Sequence, residues 1–107
     1  EGSPQALLDR DTLRARYPAN PELVDELEKV FRQTTEASLE VLRLGIAQHD
    51  TERCTKEAHA LKGAAASVLA HDIQAAAARI EAAVRADAFL EAAAEHATLE
   101  QLLRDSV

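Results

Sequence analysis

Apolar positions recur every three or four residues along most of the chain, and no stretch alternates with the period of two that marks a strand. Leu7, Leu8 and Leu13, with Asp9 or Asp11 as cap, predict a short N-terminal helix that stops around Tyr17-Pro18, because the residue before a proline is pushed out of the helical region. Asn20-Pro21-Glu22 reads as the next start: Asn20 to cap free N–H groups, Pro21 tolerated in the first turn, and acids after it. Leu23, Leu27, Val30, Phe31, Ala37, Val41 and Leu44 then mark one apolar face of a long helix running to about His49.

Asp50 is the next N-cap, opening a helix through Val68 or Leu69 with Cys54, Ala58, Leu61, Ala65 and Val68 turned inward. Asp72 is expected to cap a third long helix, with Ile73, Ala76, Ala77, Ile80 and Val84 inside. Asp87 is expected to cap a fourth, with Phe89, Ala92, Ala93, Leu99, Leu102 and Leu103 inside. Helices joined by turns of a few residues lie antiparallel to their neighbours. The expected fold is therefore all-α, an antiparallel up-down-up-down four-helix bundle with a short extra N-terminal helix.

Composition agrees with that picture. Hydrophobic residues are 47% of the 107, yet aromatics are only 3% and Trp and Met are absent. A core so rich in alanine suits closely packed helices better than a sheet. The length fits one domain, expected over residues 4–107, with Glu1-Gly2-Ser3 read as a cloning remnant on an excised segment. Twelve basic against nineteen acidic residues give a formal net charge of −7, which repels polyanions and anionic membrane surfaces, so neither nucleic acid nor a membrane is an expected partner. The single Cys54 makes no internal disulfide and fits a reducing compartment; the expected location is the cytoplasm.

Chemistry concentrates on the helix that opens at Asp50. His59, Lys62, Gly63 and Ala66 are spaced i, i+3, i+4 and i+7 and form one stripe, while Leu61 lies about 200° around the helix from His59 at roughly 100° per residue. His59 is thus expected to face outward. A mid-helix glycine costs about 1 kcal/mol relative to alanine, so Gly63 calls for a reason other than helix stability. Phosphoryl transfer accounts for all three residues. Neutral imidazole has a free nitrogen lone pair near neutral pH, Lys62 can offset charge on phosphoryl oxygens, and Gly63 lets a partner's loop approach the helix backbone. Taken singly, His59 and Lys62 read as an ordinary solvated helix face.

The run Ala58-His59-Ala60-Leu61-Lys62-Gly63-Ala64-Ala65-Ala66-Ser67-Val68 resembles the motif of the histidine-phosphotransfer (HPt) family: an exposed His, an apolar residue two on, then Lys-Gly and small residues. Ile80-Glu81 resembles that family's apolar-acidic pair on the following helix, which implies a place for Glu81 near the phosphohistidine. Leu69 departs from the pattern, standing where the family often has glycine near the helix end. The resemblance implies a phosphorelay intermediate in which His59 accepts a phosphoryl group from a receiver-domain aspartate and passes it to another. It also implies response-regulator receiver domains as partners, no cofactor of its own, Mg²⁺ on the receiver, and a place as the C-terminal module of a hybrid sensor kinase.

Other readings fit less of the chain. The five-residue spacings of His49, Cys54 and His59 spread these side chains around a helix rather than converging them on a metal. Cys54 reads as a small core residue, His49 and His71 as turn residues, and His96 as a boundary residue of the last helix. A kinase dimerisation domain would carry an acid and a proline after its histidine, and His59 is followed by neither. No glycine-rich nucleotide loop occurs, so no ATP-dependent activity is expected. The alternative from another class is a non-catalytic docking module that binds a partner through the His59 face.

Overall fold

A computed structural model of the protein describes residues 7–106; residues 1–3, and the outermost residues of the expected domain, lie outside the described residues. Five helices follow in order: α1 (Arg10–Arg16), α2 (Glu22–Ala47), α3 (Thr51–Ser67), α4 (His71–Arg85) and α5 (Phe89–Asp105), with no strand among the described residues. Helix α2 packs on α3 and α5, and α4 packs on the same two, so the four long helices close a ring consistent with an up-down-up-down bundle. The most extensive pairing is α3 with α4. Both helices bury small side chains: Ala58 and Ala65 on α3 and Ala76 and Ala77 on α4 are all fully buried. Between α2 and α3 the Cys54 side chain fills the space beside Gly45, where a Cβ would lie 2.6 Å from its sulfur. No helix among the described residues is long and apolar enough to cross a membrane.

The three turns between the long helices share one design. Each helix ends in a Schellman motif, with N–H groups of Asp50, Ala70 and Ala88 donating back to the carbonyls of Gly45, Ala65 and Ala83, each at 2.8 Å. The residue before each donor takes a left-handed backbone: His49 at φ 53°, Leu69 at φ 58° and Asp87 at φ 60°. Each donor is in turn the N-cap residue of the next helix, which leaves no room for a longer loop. Leu69 therefore ends α3 without the glycine that usually occupies such a site. Its carbonyl also accepts the Asp9 N–H at 3.0 Å, tying the start of α1 to this turn.

Several expected caps are displaced by this geometry. Asp9 and Asp50 do cap, accepting from the Thr12 and Arg53 N–H groups. Asp72 instead lies inside the first turn of α4 and Asp87 is the left-handed residue, so Ala70 and Ala88 hold the cap positions without a side-chain bond. Asn20 offers its carbonyl to Leu23 N–H rather than its side chain, and Pro21 takes the cap position.

The expected faces of α3 and α4 match the core, apart from Val68, which is half-buried. On α5, Ala93 is exposed and Leu102 half-buried, while His96 is buried and its Nε2 donates to the Leu39 carbonyl at 2.8 Å. The face of α2 differs most. Of its expected apolar set only Phe31 is buried; Val30 and Leu44 are exposed, as is Ala37. Val24, Thr35, Ser38, Leu39, Leu42 and Gly45 face inward with it, and so does Glu28. These buried polar side chains of α2 are satisfied: Thr35 donates to the Phe31 carbonyl at 2.9 Å, Ser38 donates to Glu57 at 2.7 Å, and Glu28 pairs with Arg10 and Arg32.

The left-handed turns generate a stability prediction at Asp87, which is exposed. Asp87→Gly removes the steric cost of φ 60° and should leave the melting temperature unchanged or higher. Asp87→Val, β-branched at the same φ, should cost about 1–2 kcal/mol. Thermal melts of the two variants check this; equal stabilities would show that the turn relaxes to another geometry.

Candidate functional site

Helix α3 presents His59 on the outer side of its seam with α4, opposite the buried Leu61. Its side chain is 68% exposed. One turn further along, Lys62 lies half-buried and reaches across the seam. Both point at Glu81, which α4 places directly beneath them because Ile80 and Val84 anchor that helix in the core on either side. The Glu81 side chain is only 7% exposed. Its Oε1 accepts from Lys62 Nζ at 2.7 Å, and its Oε2 lies 3.2 Å from His59 Nδ1 and 2.9 Å from Arg85 Nη2.

A buried carboxylate with those partners stays charged. The hydrogen bond from Lys62 does most to hold Glu81 below its ordinary range, with the Lys62 charge, the His59 contact and the Arg85 charge adding to it, while burial pulls the other way. An ionised carboxylate only accepts hydrogen bonds, so the nitrogen facing it must carry the ring proton. His59 Nδ1 is thereby the nitrogen that donates to Glu81, and Nε2 lies on the opposite side of the ring. The ring is at once oriented and left open to a partner.

The rest of the expected stripe lies along the same outer face. Gly63 is exposed, and a Cβ added there would meet nothing within 4 Å. Ala66 is exposed one turn beyond it, and Ser67 turns its hydroxyl back to the Gly63 carbonyl at 3.1 Å. The structure thus brings His59, Lys62, Gly63, Ala66 and Glu81 to one surface. Arg85 joins them without having been expected, although its i, i+4 spacing from Glu81 on α4 was a usable signal.

The remaining histidines and the cysteine lie elsewhere. His49 stacks on Phe89 with ring centroids 4.3 Å apart, and His71 lies 3.7 Å from Asp9 at the start of α4. Cys54 is buried and free, and burial pushes its thiol up, which suits a core residue rather than a nucleophile. Among the described residues, no three His, Cys, Asp or Glu side chains gather as metal ligands.

The lowered Glu81 ionisation has a stability consequence with a definite sign. A carboxyl group more acidic in the folded state contributes stability that is present above its ordinary value of 4.5 and is lost as pH falls through the lower folded value. Glu81→Gln should therefore be less stable than the parent at pH 7, and the gap should narrow below pH 4.5. Urea titrations from pH 7 to pH 3 measure it; a gap that stays constant with pH would mean that Glu81 is not the titrating partner.

Comparison with known families places one match on this chain: the family model described as Hpt domain covers residues 26–106, which includes α3, α4, α5 and most of α2. No curated protein and no solved structure matches the chain.

Proposed function

Because the chain belongs to the Hpt domain family, whose members act in histidine phosphotransfer, we propose that it is a phosphorelay intermediate and that His59 is the residue phosphorylated. One observation supports this most: a histidine ring held at Nδ1 by a buried carboxylate, with Nε2 open at the surface. In this reading the Nε2 lone pair attacks the phosphorus of a receiver domain's aspartyl phosphate. The bond to the aspartate oxygen breaks and that oxygen keeps the electron pair. Attack from the far side of the departing oxygen requires the receiver's loop to lie close against α3, and the bare backbone at Gly63 and the small Ala66 leave room for it. Lys62 faces the same space as a compact positive charge for phosphoryl oxygens.

The partners of this reading are response-regulator receiver domains, and the domain is the kind of module that a hybrid sensor kinase carries at its C-terminal end. Mg²⁺ belongs to the receiver's acidic pocket, and no residue of this chain is assigned to it. The cytoplasm is the compartment in which such partners meet it. No step requires ATP bound to this chain, so it relays a group that another protein has activated.

His59→Gln decides between phosphotransfer and mere docking. The variant should fold with a melting temperature close to the parent's and accept no phosphoryl group, since Gln lacks a nucleophilic nitrogen. The measurement is acid-labile phosphate after mixing with a phosphorylated receiver; labelling of the variant equal to the parent would sink the assignment, and binding without labelling of the parent would favour docking alone.

Gly63 provides a second and independent check. Its Cβ position is open, so Gly63→Ala should stabilise the helix by about 0.5–1 kcal/mol. Gly63→Gln should also fold but hold the receiver away and slow transfer by about a hundredfold. Thermal melts and single-turnover transfer should move in opposite directions, and equal transfer rates in the three proteins would remove Gly63 from the docking surface.

A further inference from the structure

A relay residue must both accept and release, so what matters is the free energy of the phosphorylated state relative to the receiver's aspartyl phosphate as well as the rate of reaching it. The side chains around His59 bear on that balance. Two cations stand beside the ring, and both are already engaged: Lys62 Nζ lies 2.7 Å from Glu81 Oε1, and Arg85 Nη2 lies 2.9 Å from Oε2. Their stems come from different helices, α3 and α4, and meet only at this carboxylate. Lys62 is 33% exposed and Arg85 62%, so both can swing outward, whereas the Glu81 side chain stays in the seam.

We propose that Glu81 sets the phosphoryl equilibrium at His59 by competing with the phosphoryl group for Lys62 and Arg85, which makes the domain a carrier that releases its cargo readily. The inference rests on the phosphotransfer reading above. When Nε2 forms its bond to phosphorus and the aspartate oxygen leaves with its electron pair, Nδ1 keeps its proton and the ring becomes an N-phosphoryl imidazolium. Release to the next aspartate reverses the same bonds, and no proton moves in either direction.

Glu81 acts on this product in two opposing ways. Its hydrogen bond to Nδ1–H stabilises the positive ring, a bond that a Gln side-chain oxygen would largely retain. Against that, its negative charge repels a group carrying between one and two further negative charges, and it holds the two cations that would otherwise neutralise them. The second effect counts twice, through repulsion and through withheld partners, and is the larger. When the phosphoryl group departs, Lys62 and Arg85 fall back on a carboxylate that never left its place. The re-formed ion pairs favour release.

The test uses the chain as it is, with a receiver domain charged by acetyl phosphate and selected for its ability to label the parent protein. Acetyl phosphate is removed before mixing, and the ratio of phosphohistidine to phosphoaspartate, corrected for the unlabelled competent forms of both proteins so that it is the equilibrium constant of transfer, is read at the plateau, together with forward and reverse rates. Glu81→Gln should raise that ratio about tenfold. Lys62→Ala and Arg85→Ala should each lower it, and each should lower it further in the Glu81→Gln background, where the cations serve the phosphoryl group alone. A purely structural role would change the amount of competent protein without moving the plateau ratio, and far-ultraviolet circular dichroism tracks folding in parallel. A ratio unchanged or lowered in Glu81→Gln would overturn the proposal, as would equal losses for the cation variants in both backgrounds. Absence of any label on the parent from a panel of receivers would instead count against phosphotransfer itself, and the proposal would fall with it.

Discussion

A carboxylate removed from water must find hydrogen-bond donors and opposite charge or give up its own, and Glu81 meets that demand with hydrogen bonds to His59 and Lys62 of α3 and an ion pair with Arg85 of α4. The rest of the site follows from this constraint. The donors reach it only because α3 and α4 pack against each other, and small buried residues on both helices, Ala58 and Ala65 on one and Ala76 and Ala77 on the other, favour a close approach. A bulkier seam would part the helices and leave the carboxylate unpaired. The alanine content that makes the core look featureless is thus what permits a charged group to be buried beside an exposed ring. The same contact orients His59: the nitrogen facing Glu81 must carry the proton, and the other nitrogen faces outward.

The turns contribute rigidity at the ends of the same helices. Each of the three residues with left-handed backbone lacks the freedom of glycine, so each turn carries a steric cost of about 1–2 kcal/mol. Part of that cost is offset locally. His49 stacks on Phe89, and Leu69 packs against the core while its carbonyl anchors the start of α1. Glycine would relieve the strain but give up the side-chain contacts of His49 and Leu69. The departure of Leu69 from the family pattern therefore concerns how α3 ends and how α1 is held, two to three turns away from His59, and leaves the reactive surface untouched.

Much of this was legible in the amino-acid sequence, and the failures have physical causes. The stripe of α3 was readable because its apolar and polar positions separate cleanly, which in turn placed His59, Lys62 and Gly63 on the outer face. The α4 stripe was readable for the same reason. On α2 the periodicity was correct but the face was rotated. Thr35 and Ser38 count as polar in any pattern, yet they are buried with their hydrogen bonds satisfied inside the bundle, and Val30 and Leu44 count as apolar yet face water. The caps expected at Asp72 and Asp87 missed by one or two residues, because a Schellman turn reuses its closing residue as the next N-cap and so displaces the side chain that looks best suited. Glu81 was anticipated only through a family resemblance. Its burial could not be read from spacing, since an acid between Ile80 and Val84 looks like the edge of an apolar stripe, and the partners that permit burial sit on another helix. Arg85 was missed although the spacing to Glu81 was visible.

The distribution of charge bears on how a partner would find this surface. The chain carries a formal net charge of −7, while the cluster at His59 combines Lys62 and Arg85 with the single charge of Glu81 and so is locally positive. At physiological ionic strength charges are screened beyond about 8 Å, so the excess acidity elsewhere neither attracts nor strongly repels a partner at the distance of first approach. Within that range the phosphorylated aspartate of the proposed partner would meet two cations and the exposed Gly63 and Ala66. Small side chains give little apolar area and few hydrogen bonds with which to hold a partner. An interface built on them is suited to a short-lived complex, in which selectivity comes from how well the partner's loop fits against the bare helix rather than from tight binding. Rapid dissociation is what the proposed relay, visiting two partners in turn, would require, and small side chains on the outer face of α3 suit it.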